Sequence, residues 1–322
     1  MKKIIWILLD NRMGSVGQAK GVMQELASSQ FEIITKELKY TRFAGLPNVI
    51  RGQSLLGIAN PEILDGENPD LVMSTSRRTV PVALYLKKKN PKTLLVQLMH
   101  PGNFGISKFT KIFLPQHDAN KKALPNFYFT VGSPHRINKT VLEEARLKWE
   151  EKFSSLPHPW TALIIGGSIK GKPFTLENAL SLAQDVKKLK ERIGGSLLIT
   201  DSRRTGSEAE KLIIDTLKDI PMYTYLWGST DDNPLLGYYA CADNLVVTGD
   251  SVSMCCEACG TGKPVFVFEG KNWLTDKHLR FTKSLFEGKY ASLLNPGCET
   301  IINGKILYPS AEIAAEIVKL LS

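Results

Sequence analysis

The sequence predicts an α/β protein built from two open, doubly wound parallel sheets. Three observations carry that expectation. Short β-branched or aromatic runs alternate with longer amphipathic segments along all 322 residues. The runs are continuously apolar, as strands are when helices cover both faces of a parallel sheet. The length also exceeds what one hydrophobic core usually serves, so two domains are expected.

In order, the first half offers strands at 4–10 (IIWILLD), 31–38, 70–74, 93–99, 111–115 and 126–131. The second half offers them at 162–167 (ALIIGG), 196–202, 223–227, 244–250 and 264–270. A helical pattern, RINKTVLEEARLKWEEKF (136–153), precedes SLPHPW (155–160), whose two prolines break it. The expected domains are therefore 1–155 and 156–322. Both open with strand, Gly/Ser loop and helix: LLDNRMGSVGQAKGV (8–22) and IIGGSIKGKPFT (164–175).

The apolar share of 43% and charged share of 23% suit a globular protein. No apolar run reaches the ~18–20 residues that span a bilayer. The opening MKKIIWILLD holds only six apolar residues before Asp10 and lacks a small-residue cleavage site, so it reads as a first strand and the protein as cytoplasmic. Net charge is +9 and lopsided. Residues 1–155 hold 23 basic against 13 acidic side chains, a balance of +10, and residues 156–322 hold 18 against 19, a balance of −1. The basic half points to an anionic partner such as phosphates, a lipid-linked acceptor or an acidic membrane surface, with plain solvation as the alternative. No zinc-finger or RNA-recognition signature accompanies the charge, so nucleic acid is not expected.

Residues 248–270, TGDSVSMCCEACGTGKPVFVFEG, contain Cys255, Cys256 and Cys259. Cys241 and Cys298 supply no second ligand pair for zinc, and no strand-turn-helix start precedes the CxxC spacing. The sulfurs are expected to pack a helix on a sheet, with no metal site. The rest of the stretch is more informative. A strand ends at Gly249-Asp250, and a helix begins among the cap formers Asp250, Ser251 and Ser253. Its amino end suits a phosphate. Ser253 and Glu257 share a helical face, which suits a carboxylate accepting ribose hydroxyls below a diphosphate.

Other strand ends carry compatible groups. Gly166, Gly167 and Ser168 allow close backbone approach to a phosphate. Ser202, Arg203, Arg204 and Thr205 stand in a loop at a helix start, where arginine neutralises a diphosphate without metal. Trp227-Gly228 ends a strand where a base is expected on main-chain groups. Ligands of open α/β sheets sit at such carboxyl ends. GxGxxG, GxxxxGK[ST], Asp-x-Asp and GxSxG motifs are all absent.

These segments, with STSRRTVPVAL, VQLMHPG, LPQHDA, TVGSPHRIN, DSRRT and WGSTDDNP, resemble the family named after the plant mitochondrial-fission protein Elm over nearly the whole chain. That family is similar to GT-B glycosyltransferases, which implies two Rossmann-like domains, a nucleotide sugar held mainly by the second, and a final helix (310–321) packed back on the first. DSVSMCCEACGTGKPVFV also resembles the donor segment of the GT-B enzyme that adds N-acetylglucosamine to lipid-linked muramyl precursors. Carried over, Ser253 and its neighbours take the diphosphate and Glu257 the ribose.

The resulting expectation is a metal-independent GT-B-type glycosyltransferase that needs no cofactor beyond its nucleoside-diphosphate sugar. Its base is sought among His100, His117, Asp118 and His135, with a structural role the leading alternative for each single histidine. The loop NRMGSVGQ, with Gly14, Ser15 and Gly17, is expected to touch donor phosphate or acceptor. Two alternatives stay open: a GT-B-fold nucleotide-sugar epimerase, and a non-catalytic scaffold or membrane adaptor.

Overall fold

The structure is a computed structural model that describes residues 2–26, 31–118, 123–295 and 305–322. Cys298 lies outside the described residues. The chain divides into two compact units, residues 1–136 with 308–322, and residues 137–307. The excess of positive charge lies entirely in the first. The first unit holds 20 basic and 11 acidic residues, a balance of +9, and the second holds 21 of each.

The first unit runs β1 (Lys3–Leu9), α1 (Met13–Leu26), β2 (Phe31–Glu37), α2 (Asn48–Arg51), β3 (Leu71–Ser74), α3 (Val80–Lys89), β4 (Leu94–Leu98), β5 (Lys111–Pro115) and β6 (Phe127–Thr130). All strands are parallel, in the order β2-β1-β3-β4-β5-β6. Side-chain alternation along β1 explains the continuous apolar run. Ile5, Ile7 and Leu9 pack with Val22 and Leu26 of α1, and Ile4, Trp6 and Leu8 pack with Val80 and Leu84 of α3.

The second unit runs α4 (Lys139–Phe153), β7 (Trp160–Ile164), α5 (Leu176–Ile193), β8 (Ser196–Thr200), α6 (Ser207–Leu217), β9 (Met222–Tyr225), α7 (Leu235–Cys241), β10 (Asn244–Thr248), α8 (Val252–Cys259), β11 (Val265–Phe268), α9 (Asp276–Glu287) and β12 (Ser292–Leu293). Its sheet is also all parallel, ordered β12-β11-β10-β7-β8-β9. Leu182 and Val186 of α5 and Ile213 of α6 cover Leu163, Leu197, Ile199 and Val246. Helix α4, expected from sequence to close the first domain, packs on α7. Phe153 lies 5.6 Å from the Tyr238 ring, and Arg146 donates to the Ala240 carbonyl at 2.8 Å.

Helix α10 (Pro309–Leu321) belongs to the first unit. Ile313 and Ile317 complete the core beneath α1. The Ser310 hydroxyl donates to the His135 carbonyl at 2.6 Å and accepts the His135 N–H at 2.9 Å. Lys111 pairs with Glu316 at 2.6 Å. Gly21 of α1 meets this clasp directly, since a Cβ there would lie 2.2 Å from the His135 carbonyl oxygen. Gly17, one turn earlier, faces open space. Gly21→Ala should therefore cost about 1–3 kcal/mol by overpacking. Gly17→Ala should be neutral or stabilise by up to about 1 kcal/mol through helix propensity. Urea unfolding of the two variants separates these effects.

Candidate functional site

In the second unit the strand order changes direction between β7 and β10, the place where open α/β sheets bind ligands. Asp250, after β10, is buried there. Its carboxylate accepts from the Gly167 N–H at 3.0 Å and pairs with Arg204 at 2.8 Å. Gly166 has to be glycine because a Cβ would fall 2.1 Å from the Asp250 carboxylate, and at Gly167 one would fall 2.1 Å from the Arg204 main chain. Three strand ends are thereby knitted together. The Gly166 N–H donates to Thr248 at 2.7 Å, and the Ser202 hydroxyl donates to the Gly166 carbonyl at 2.9 Å. The Ser168 N–H reaches the Arg204 carbonyl at 2.8 Å, and Trp273 Nε1 reaches the Gly167 carbonyl at 3.2 Å.

The network divides the residues named from sequence. Asp250, Ser202 and Arg204 are committed to holding the loops, and Ser168 also accepts from the Phe174 N–H at 3.0 Å. Arg203 projects into solvent. Ser251 caps α8, accepting from the Met254 N–H at 3.5 Å, and Ser253 is exposed on the first turn. Glu257, half-buried one turn further, accepts from the Tyr239 hydroxyl at 3.2 Å. Cys255, Cys256 and Cys259 of α8 are all buried. Burial pushes the Cys255 and Cys259 thiols well up, away from the thiolate form that redox or metal chemistry needs.

Trp227 is 63% exposed, but its N–H is taken by Asp201 at 2.6 Å, so that donor is closed to a base. Gly228 follows with φ of 96°. His278, not singled out from sequence, belongs to the same neighbourhood. Its ring contacts Thr275 at 2.7 Å and hydrogen-bonds the Asp250 main chain. Burial holds its pKa below the ordinary range, with the Asp250 charge pulling the other way.

The residues named in the first unit serve other purposes. Gly14, Ser15 and Gly17 lie in helix α1 and not in a loop, with Ser15 buried. His135 is buried beside Tyr308, its main chain clasped by Ser310. His117 is buried in a short turn after β5, and Asp118 is half-buried. His100 Nδ1 accepts from the Gly102 N–H at 3.1 Å. In the neutral ring that contact places the proton on Nε2, which is then a hydrogen-bond donor.

Sequence reasoning passed over a second arginine loop. Ser76-Arg77-Arg78-Thr79 after β3 repeats Ser202-Arg203-Arg204-Thr205 after β8, and the two fold alike. In each, the serine hydroxyl accepts the N–H of the second arginine at 3.2 Å, and the threonine hydroxyl accepts the serine N–H at 3.1 Å. The second arginine pairs with a buried aspartate, Arg78 with Asp10 as Arg204 with Asp250. The first, Arg77 or Arg203, is exposed. Recurrence of the tetrapeptide SRRT was the signal available in the sequence.

The sequence profile described as Mitochondrial fission ELM1 matches residues 13–321. The chain belongs to the mitochondrial fission ELM1 family. Within reach of this family assignment, the uncharacterized protein RP120 of Rickettsia prowazekii (strain Madrid E) is 30% identical, the match covering 98% of this chain and 97% of that protein. The mitochondrial fission protein ELM1 of Arabidopsis thaliana is 28% identical over 76% of this chain and 61% of the plant protein. Among solved structures, the UDP-GlcNAc 2-epimerase of Neisseria meningitidis bound to UDP-GlcNAc superposes with a TM-score of 0.53 at 13% identity, covering 99% of this chain and 91% of the epimerase. This ELM1-family chain thus has the two parallel sheets of the GT-B class that its sequence predicts, each of six strands, β12 being the one not expected. No described helix is long and apolar enough to cross a membrane.

One pH effect follows from the site. Burial pushes the Asp201 carboxyl up to about 6 against the opposing Trp227 N–H, and nearby Glu210 adds to the rise. A carboxyl raised in the folded state costs stability where it is ionised. The cost is complete above about pH 6 and vanishes below the ordinary value near pH 4. Asp201→Asn should therefore stabilise at pH 8 by about 1–2 kcal/mol, after screening of a half-buried group, and have no effect at pH 4. Denaturation at the two pH values checks this.

Proposed function

We propose that the chain is a glycosyltransferase taking a nucleoside-diphosphate sugar at the switch point of its second sheet. The carrying observation is the composition of that crevice. The Gly166–Ser168 main chain, exposed Arg203 and the amino end of α8 all stand at carboxyl ends of strands, with Ser253 and Glu257 one turn apart above them. The helix dipole and the guanidinium supply positive charge for a diphosphate without calling on a metal ion. Glu257, oriented by the Tyr239 hydroxyl, accepts hydrogen bonds from the ribose. The exposed Trp227 indole offers a face for the base. That an epimerase of this fold is bound to UDP-GlcNAc supports a nucleotide sugar as the ligand class.

The acceptor is an anionic molecule taken by the first unit, which carries the whole net charge of +9. Of the four base candidates, Asp118 keeps a partly exposed acceptor, whereas His117 and His135 are buried and His100 is held as a donor.

Calorimetry with UDP, GDP, ADP, CDP and dTDP in the presence of a chelator tests the donor site. One nucleotide should bind, and Glu257→Gln should weaken it at least tenfold, about 1.4 kcal/mol. Failure of every nucleotide to bind a folded sample, or indifference to Glu257→Gln, contradicts the reading. With the matching sugar nucleotide, isomerisation of the free donor in place of transfer would replace glycosyl transfer by epimerisation.

A further inference from the structure

The first unit has its own switch point. In the order β2-β1-β3-β4, the chain reverses between β1 and β3, and ligands of such sheets sit beyond the carboxyl ends of those two strands. A pocket of about 470 Å³ occupies that position. Its walls are of two kinds. Arg12, after β1, and Arg77 and Arg78, after β3, supply three guanidinium groups. Leu46, Val49 and Phe104 supply apolar surface.

The charge balance of the pocket is unequal. Burial alone would raise the Asp10 pKa, but the Ser76 hydroxyl, the Arg78 guanidinium and the Asn11 N–H outweigh it and hold the carboxyl below its usual range. Arg78 is thus matched, and it is also stacked on the Tyr40 ring at 4.3 Å. Arg12 and Arg77 make no ion pair with any described residue. Two guanidinium groups therefore line the pocket without a counter-charge among the described residues.

The apolar wall is continuous with a larger exposed surface. Phe43, Leu46, Val49 and Ile50 are 43%, 36%, 70% and 60% exposed, on one segment between β2 and β3. This segment is fastened to the arginine loop from behind. Asn48 Nδ2 donates to the Arg77 carbonyl at 2.8 Å, and Arg51, 1% exposed, donates to the carbonyls of Arg78 and Leu56 at 3.0 Å each. Buried main-chain anchoring of this kind holds the apolar residues and the guanidinium groups in one fixed arrangement.

We propose that this pocket binds a lipid bearing a terminal phosphate or diphosphate. The phosphate is held by Arg12 and Arg77 beside the tied Arg78, and the hydrocarbon chain lies along Leu46 and Val49 toward Phe43 and Ile50. Planar guanidinium forks match phosphate oxygens in pairs, which a diffuse basic surface does not do. The inference deepens the glycosyl-transfer reading by naming the acceptor class. Binding itself needs no donor, so the two readings fail separately.

The test is co-sedimentation of the full-length protein, without nucleotide, with phosphatidylcholine vesicles containing either phosphatidic acid or phosphatidylglycerol at matched surface charge. Vesicles with phosphatidic acid should bind at least tenfold more tightly. Arg12→Ala with Arg77→Ala should remove that preference, and Val49→Ser with Ile50→Ser should weaken binding at least fivefold. All four positions are exposed, so circular dichroism of the variants should match the parent. Equal binding to both vesicle types would reduce the effect to surface charge and overturn the proposal. Binding that survives the arginine changes overturns the phosphate site. Competition by inorganic pyrophosphate with no response to the serine changes overturns the lipid component, leaving a free phosphate as the ligand.

Discussion

A carboxylate buried beyond a parallel strand and paired with an arginine from another loop is the constraint on which both crevices depend. It occurs once per unit, as Asp10 with Arg78 and as Asp250 with Arg204. A buried charge left unpaired is costly, so the arginine cannot leave, and the loop that carries it is fixed in place. Fixing that loop sets the rest. Gly166 and Gly167 must lack side chains because the carboxylate and the Arg204 main chain fill the space. The serine and threonine of each SRRT turn close it internally. What remains is the exposed side chain of the preceding arginine, which forms no ion pair among the described residues.

This division gives each unit a rigid platform and one exposed guanidinium at the point where its sheet reverses direction. In the second unit the platform adjoins the amino end of α8 and Glu257, groups suited to a nucleoside diphosphate. In the first it adjoins Arg12 and an apolar segment, suited to an amphiphilic phosphate. The two proposed ligand classes thus rest on one local device set in two contexts. The charge distribution agrees, because the first unit holds all of the excess and the second is neutral.

Much of the fold was legible in sequence because parallel strands buried on both faces are continuous apolar runs. All eleven expected strands form, and only the two-residue β12 was too short to register. The domain boundary was less visible. Two prolines at 157 and 159 mark the end of α4, yet α4 packs on α7, and packing partners leave no local trace in sequence. Gly14 and Gly17 suggested a loop where the chain begins α1, because glycine content does not reveal that those turns face open space. At the site, residue types were readable but commitments were not. Asp250 and Arg204 looked like ligand groups, and only the fold shows that the two pair with each other. The pocket of the first unit brings Arg12 together with residues more than sixty positions away, which no local motif announces.

The central claim is that the two arginines of each SRRT turn have opposite roles, and single alanine variants at the four positions test it by chemical denaturation. Arg78→Ala and Arg204→Ala should each lose about 2–4 kcal/mol, the partly exposed Arg204 at the lower end. Arg77→Ala and Arg203→Ala should stay within about 0.5 kcal/mol of the parent. Equal losses at all four positions, or none at Arg78 and Arg204, would contradict the account.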